Sequence, residues 1–434
     1  MHAQGISPKG FDSMKLFRRR ITRYGKALLY MLVCGYVLLL AAGLISQSAV
    51  SKSVALSSEQ LSLEGGHPVL LVGSDSSYKL NNAAEARILL KSLYMDTLRD
   101  APSVLLCPSF DASGDPLGAM EALSASGAFP GADSSSPSSF MGFRATIRLL
   151  LCFMNLRQIR RFLMWIILLL FAAVVMSIRR HSSPLMSLLF TAAFLSVNPI
   201  VIMSSMQYAT CFIIAFAAML FMPHIGRWWL SEPLCFFVIG GITLYFDYYS
   251  FPILTFVLPL YMRLLVRQRE GELHRFRDDI EYASKCFAAW LSGYALLWLA
   301  DIAVTALFCN AGVWANAAET LRSVFSVSDA GILRPFLDAL RNLTTIECAI
   351  CIVGFLLAWP FLMDTRARRR IGYRQGRIFL IVALLPVVWL LLTSNSVAEH
   401  GYYEYRALTG TIFGALCFYA KPTHLLEKNI RKTL

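Results

Sequence analysis

Residues 163–178 read LMWIILLLFAAVVMSI, sixteen positions without a charge. Arg160 and Arg161 close the run on one side, and Arg179, Arg180 and His181 on the other. With its flanking turns the segment approaches the roughly 20 apolar residues that carry a helix across a bilayer core. A soluble helix would show one apolar stripe, not an apolar circumference. This stretch therefore sets the fold class as a membrane-spanning helix, and the rest of the chain repeats its pattern.

Working towards the C-terminus, further apolar runs cover 184–203, 208–222, 234–248, 251–266, 286–308, 347–363, 378–394 and 407–420. Working back, 27–46 is apolar and follows a basic N-terminus containing Arg18, Arg19, Arg20, Arg23 and Lys26. A cleaved signal peptide has a shorter apolar core of about 7–15 residues, so 27–46 is read as a retained first span. The expectation is an all-α polytopic membrane protein with about ten transmembrane helices and a large outer loop between helices one and two.

Composition agrees. Of the 434 residues, 56% are apolar and only 15% charged, against about a quarter charged in soluble domains. The net charge of +13 is not a nucleic-acid signature, because the basic residues cluster beside apolar runs. That is the bias that keeps Lys and Arg on the cytoplasmic side. Most of the 40 Lys and Arg fall on segments read as inner, notably RQREGELHRFRDD after residue 266 and DTRARRRIGYRQGR after 363. Both ends are then cytoplasmic, at 1–26 and 421–434. Spans beyond the first occupy 163–420.

Residues 47–162 form the outer loop. Its stretch 81–99 has the apolar spacing of a helix, and 124–140 is rich in Ser, Gly and Pro. Residues 142–162 interleave Arg144, Arg148, Arg157, Arg160 and Arg161 with leucines and aromatics, the composition of a helix lying in the membrane interface. Of ten cysteines most lie in apolar runs, and the Cys348/Cys351 pair has no second ligand pair to make it a metal site, so packing is its reading. Cys107 and Cys309 fall in outer segments where one disulfide is feasible. No phosphate-binding glycine loop or zinc pattern is present.

Polar residues near lipid are costly and call for partners. Asp247, in YFDYYSFP at an outer turn, either caps a tight helical hairpin or faces an outer cavity. Glu399, His400, Tyr402, Glu404 and Arg406 crowd a second outer turn, SNSVAEHGYYEYR. Tyr402 and Arg406 stand one helical turn apart, and with His400 could hold an anionic phosphate; the plainer alternative is a solvated turn in an aromatic belt. Asp301 is expected to pair with a neighbouring span, and Asn198-Pro199 to mark a kink. Among the loop carboxylates Asp75, Asp96, Asp111 and Asp133, Asp75 has the best context, between an apolar run and the helical stretch.

Four features together resemble the C superfamily of membrane glycosyltransferases, in an uncharacterised bacterial branch: the basic-flanked first span with its large outer loop, the interfacial helix around Arg144–Arg161, the turn FDYYSFPILTFVLPL, and the turn SNSVAEHGYYEYR. The resemblance implies transfer of a sugar from a polyprenyl-phosphate donor to a cell-envelope acceptor, at the outer face of a bacterial plasma membrane. It implies Asp75 as the base that takes the acceptor proton and Asp247 as a second catalytic carboxylate. His400, Tyr402, Glu404 and Arg406 would bind the donor, joined by Arg144 and Arg148. The implied partners are membrane lipid and the lipid-linked sugar, with no nucleic acid. No resident cofactor is implied, and a divalent metal at the phosphate is compatible with the chemistry. The chain departs from the family in lacking an Asp/Glu pair soon after the first span. The rival readings are a lipid-linked sugar flippase or transporter and an envelope polysaccharide polymerase or ligase.

Overall fold

The structure is a computed structural model. It describes residues 8–70, 76–93, 95, 97–98, 101, 104, 115–126, 142–227, 231–247, 250–270, 276–308, 312–344, 348–354 and 366–420. Asp75, Asp96, Asp111, Asp133, Cys107 and Cys309 lie outside these residues.

Among the described residues the chain forms helices and no strand, with one isolated bridge between Val69 and Lys79. The first long helix, α1 (Pro8–Gly43), leads into a head of shorter helices: α2 (Gln47–Glu64), α3 (Asn82–Leu93), α4 (Pro116–Ser126) and α5 (Phe143–Leu151). The bundle follows with α6 (Leu156–His181), α7 (Pro184–Leu195), α8 (Pro199–Met203), α9 (Met206–Phe221), α10 (Glu232–Phe246), α11 (Leu254–Glu270) and α12 (Phe276–Phe308). After α13 (Val313–Phe325) and α14 (Leu333–Arg341) come α15 (Arg366–Leu392), α16 (Ser394–Glu404) and α17 (Leu408–Ala420).

Among the described residues, four helical segments are long and apolar enough to cross a membrane: Ile21–Gly43, Leu156–His181, Met206–Ile225 and Phe276–Leu307. A fifth is reached if Gly376–Leu392 and Ser394–Tyr419, bent by 118°, count as one. The all-α membrane-spanning class thus stands on four or five such segments. α7 and α10, at 12 and 15 residues, are apolar but shorter.

The interfacial segment expected at 142–162 divides in two. Asn155 caps α6 by accepting from the Gln158 amide (3.1 Å), and the Gln158 side chain accepts from the Asn155 amide (2.9 Å). This reciprocal cap starts a new helix, so Arg157, Arg160 and Arg161 ride on α6 and only Arg144 and Arg148 on α5. The kink expected at Asn198-Pro199 is present: Asn198 sits at φ 57° and separates α7 from α8.

The head gathers one end of the bundle. The Gly142 amide donates to the Tyr245 carbonyl at the end of α10 (2.7 Å). Arg160 reaches from the start of α6, and Arg406 from just before α17. At the far end Glu232 of α10 pairs with Arg263 of α11 (2.7 Å). Between them α10 and α12 cross closely at Gly240 and Gly293, small residues that let helix backbones touch. Asp301 of α12 accepts from the Tyr36 hydroxyl of α1 (2.9 Å), a partner on a neighbouring helix.

Candidate functional site

The head meets the bundle through buried polar groups, and Glu85 is central. α3 places it on the same face as Ile88 and Leu89, and it is fully buried. One carboxylate oxygen accepts from the Ser205 hydroxyl (2.8 Å) and the Met206 amide (2.7 Å). An acid supplied by the head therefore caps the N-terminus of α9, where amides lack partners and the helix dipole favours negative charge. The other oxygen lies 3.5 Å from Arg160 Nε. Arg160 in turn forks onto Glu64 (2.8 Å) and Asn82 (2.8 Å). Burial raises the Glu64 pKa, but the Arg160 guanidinium and hydrogen bonds from Gln60 and Asn82 outweigh it and leave the carboxyl below its ordinary range.

Next to this network lies Arg406, fully buried. It donates to the Ser77 carbonyl (2.8 Å) and the Tyr402 carbonyl (3.3 Å), and its guanidinium carbon stands 5.0 Å from the Tyr208 ring and 4.9 Å from the Tyr405 ring. Among the described residues no carboxylate lies within ion-pair distance of it. Among the described residues, the buried Arg406 Nε, Ser77 Oγ, Asn198 Oδ1 and Tyr208 hydroxyl make no hydrogen bond. Asn198 is tied to the place because its Nδ2 donates to the same Ser77 carbonyl (3.4 Å). A buried guanidinium without a counter-ion is strongly disfavoured. The Arg406 Nε and the Ser77 hydroxyl are donors of the kind that bind an oxyanion such as phosphate.

Aromatic residues pack beside it. Tyr402 meets His67 edge-on (ring centroids 5.8 Å apart), and His400 stacks on Tyr403 (5.4 Å). Tyr403 lies against Tyr208 (5.0 Å). His400 Nε2 is 3.8 Å from Glu399. Thus Tyr402 touches Arg406 through its carbonyl, while His400 packs on Tyr403 and Glu399. Glu404 is on this helix but buried away, accepting from Ser396 (2.5 Å).

Other sequence candidates lie elsewhere. Asp247 is buried and accepts from Ser250 Oγ (2.7 Å), the Ser250 amide (3.1 Å) and Thr210 Oγ1 (3.2 Å). It closes the turn between α10 and α11, the capping alternative. Arg144 and Arg148 turn into the head. Arg144 donates to the carbonyls of Lys91 and Val104 (2.9 Å each), and Arg148 to those of Ser92 (2.9 Å), Leu93 (2.6 Å) and Ile45 (2.5 Å). Cations at the C-terminal carbonyls of α3 complement its dipole, and neither side chain reaches Arg406. Among the described residues no group of three or more His, Cys, Asp or Glu converges to hold a metal ion.

Sequence reading missed Glu85, Arg160, Ser77 and Asn198 as partners. The one available signal was Glu85 itself, a charge set within the apolar stripe of α3.

No family model, curated protein or solved structure matches the chain.

Proposed function

We propose that the chain is a membrane glycosyltransferase that moves a sugar from a polyprenyl-phosphate donor to a cell-envelope acceptor at the outer face of a bacterial plasma membrane. In this reading the chain makes ten spans, both ends are cytoplasmic and the head lies outside. The observation that carries it is Arg406, a buried cation without a carboxylate partner among the described residues.

The chemistry has a simple balance. The acceptor hydroxyl oxygen bonds to the anomeric carbon as the bond from that carbon to the donor phosphate breaks. The hydroxyl proton passes to a carboxylate, and polyprenyl phosphate leaves with the bonding electrons. Arg406 Nε, with the Ser77 hydroxyl, would stabilise the charge that grows on the departing phosphate. Tyr402 and His400 would form the aromatic lip against which the sugar lies. The base remains Asp75 on sequence grounds, two positions before Ser77 in the chain.

The test is transfer from a radiolabelled polyprenyl-phosphate sugar by the full chain in liposomes, against Arg406→Gln. Loss of one preorganised donor to a developing oxyanion lowers turnover by about 10²–10³-fold. Undiminished transfer by a folded Arg406→Gln variant overturns the assignment of Arg406. Absence of transfer by the parent chain from any such donor overturns the reading as a whole.

A further inference from the structure

α13 and α14 connect α12 to α15, and each divides into three faces. On α13, Val313 is buried, and Ala317 and Val324 on the same side are half-buried. Trp314, Ala318, Leu321 and Phe325 recur at spacings of four, three and four and form an exposed apolar stripe. Glu319, Arg322 and Ser323 are exposed on the remaining side. On α14, Pro335 and Ala339 are buried, Leu333 and Leu337 are exposed, and so are Arg334, Asp338 and Arg341 beside them. At 13 and 9 residues the helices rise about 20 Å and 14 Å. Neither length crosses a hydrocarbon core of roughly 30 Å.

Both helices are fastened where spans end at the head. Asn395 Nδ2 donates to the Ser323 carbonyl (3.2 Å), the Ser328 amide to Ser394 Oγ (3.4 Å), and Asn342 Nδ2 to the Gly401 carbonyl (3.3 Å). These bonds tie α13 and α14 to α16, the helix that leads to Arg406 and its contact with Ser77 of the head. Phe325, at the end of the stripe, meets Trp389 of the last turn of α15 edge-on (6.3 Å). On α15 Leu384, Val388 and Leu392 are exposed at spacings of four, the membrane-facing side of the bent span that α15 begins. The stripe of α13 therefore continues a surface that already faces hydrocarbon. A contiguous exposed apolar surface marks an interaction site, and its continuity with a span selects lipid as the partner. A short helix with an apolar stripe and a charged side, level with the ends of spans, is the form that lies between headgroups and acyl chains.

We propose that α13 and α14 bind the head-side leaflet of the bilayer and lie along its interface, with Trp314, Ala318, Leu321, Phe325, Leu333 and Leu337 below the headgroups. The charged sides, with Glu319 on α13 and Arg334 and Asp338 on α14, then face water. The proposal does not depend on the transferase reading.

The experiment places the full chain in phosphatidylcholine vesicles that carry a photoreactive phosphatidylcholine, its reactive group either near the glycerol or at the end of an acyl chain. The shallow group should label peptides of α13 and α14 and the deep group should not, while the deep group labels the exposed middle of α6 at Leu168 and Leu169. Trp314→Glu with Leu321→Glu should lower the shallow labelling of α13 about tenfold, because two apolar side chains then no longer leave water. Ser323→Glu, on the charged side, should leave that labelling unchanged. If the double variant does not fold, the two depths on the parent chain decide. The proposal is overturned if neither group labels α13 and α14, if both label them equally, or if Ser323→Glu costs as much labelling as the double variant. Labelling that appears only as the chain is diluted in lipid means that a second copy covers the stripe, and overturns it as well.

Discussion

The crossing of α10 and α12 tolerates no side chain at two positions. A Cβ on Gly293 would lie 1.9 Å from the Phe237 carbonyl oxygen, and one on Gly240 would lie 2.0 Å from the Trp290 carbonyl oxygen. Ordinary contact begins at 3.4 Å, so the shortfalls are 1.5 Å and 1.4 Å. The obstacle is backbone in both cases and cannot rotate aside, so the helices must separate. Forcing a methyl into such packing costs about 1–3 kcal/mol. Separation also strains the buried chain in which Trp290 donates to Thr255 (3.1 Å) and Thr255 meets Thr243 (2.7 Å), worth about 1 kcal/mol per bond. Gly293→Ala and Gly240→Ala should each destabilise by about 2–4 kcal/mol. The double variant should cost clearly less than their sum, because the first alanine has already opened the gap the second needs. Gly401→Ala, whose new methyl would meet its nearest neighbour at 3.5 Å, is the control and should change stability by no more than about 1 kcal/mol. The assay is denaturant unfolding of the detergent-solubilised chain followed by tryptophan emission. A Gly293→Ala variant as stable as the parent, or a fully additive double, would refute the reasoning.

Three further outcomes concern buried and half-buried carboxylates. Glu85→Ala removes the cap on α9 and a charge partner of Arg160, and should destabilise by about 3–5 kcal/mol. Glu85→Gln retains a carbonyl for Ser205 and Met206 and should lose markedly less; equal losses in thermal unfolding would dismiss the capping role. The Glu64 carboxyl has its folded-state pKa depressed below 4.5. Its contribution is therefore complete above that value and is lost as pH falls through the folded pKa. Glu64→Gln should flatten the acid limb of a melting-temperature profile, and an unaltered limb would contradict the pairing. Asp247 holds Ser250 Oγ and Thr210 Oγ1 through one oxygen that an asparagine retains. Asp247→Asn should then be nearly neutral, whereas Asp247→Ala strands Thr210 and Ser250 at about 1–3 kcal/mol, a difference that chemical unfolding resolves.

The helices were legible because apolar length and charged flanks are local properties. α3 falls within 81–99, the break falls at Asn198-Pro199, and α17 matches 407–420 within one residue at its start. The division of 142–162 was missed because Asn155 and Gln158 carry the cap signature inside a basic, leucine-rich stretch that suggested one helix. Tyr402 and Arg406 were visible as a pair because they are four residues apart. Ser77 and Asn198 were not, since both are joined to Arg406 only through folding, across 329 and 208 positions. Arg144 and Arg148 misled for a related reason. An arginine in an amphipathic helix looks the same in sequence whether it faces an interface or the carbonyls of another helix.

The cap that Glu85 places on α9 bears on how the chain is made. The head emerges from the ribosome before α9, so the acid is present when the α9 amides enter the bilayer, and those amides need never wait in lipid without an acceptor. Each half depends on the other: a bundle made without the head would leave the Met206 amide without its carboxylate acceptor, with Ser205 still capping Tyr208, and a head made without α6 would bury Glu85 without Arg160. A ribosome-stalled chain ending before Arg160 should therefore remain open to proteases at the head.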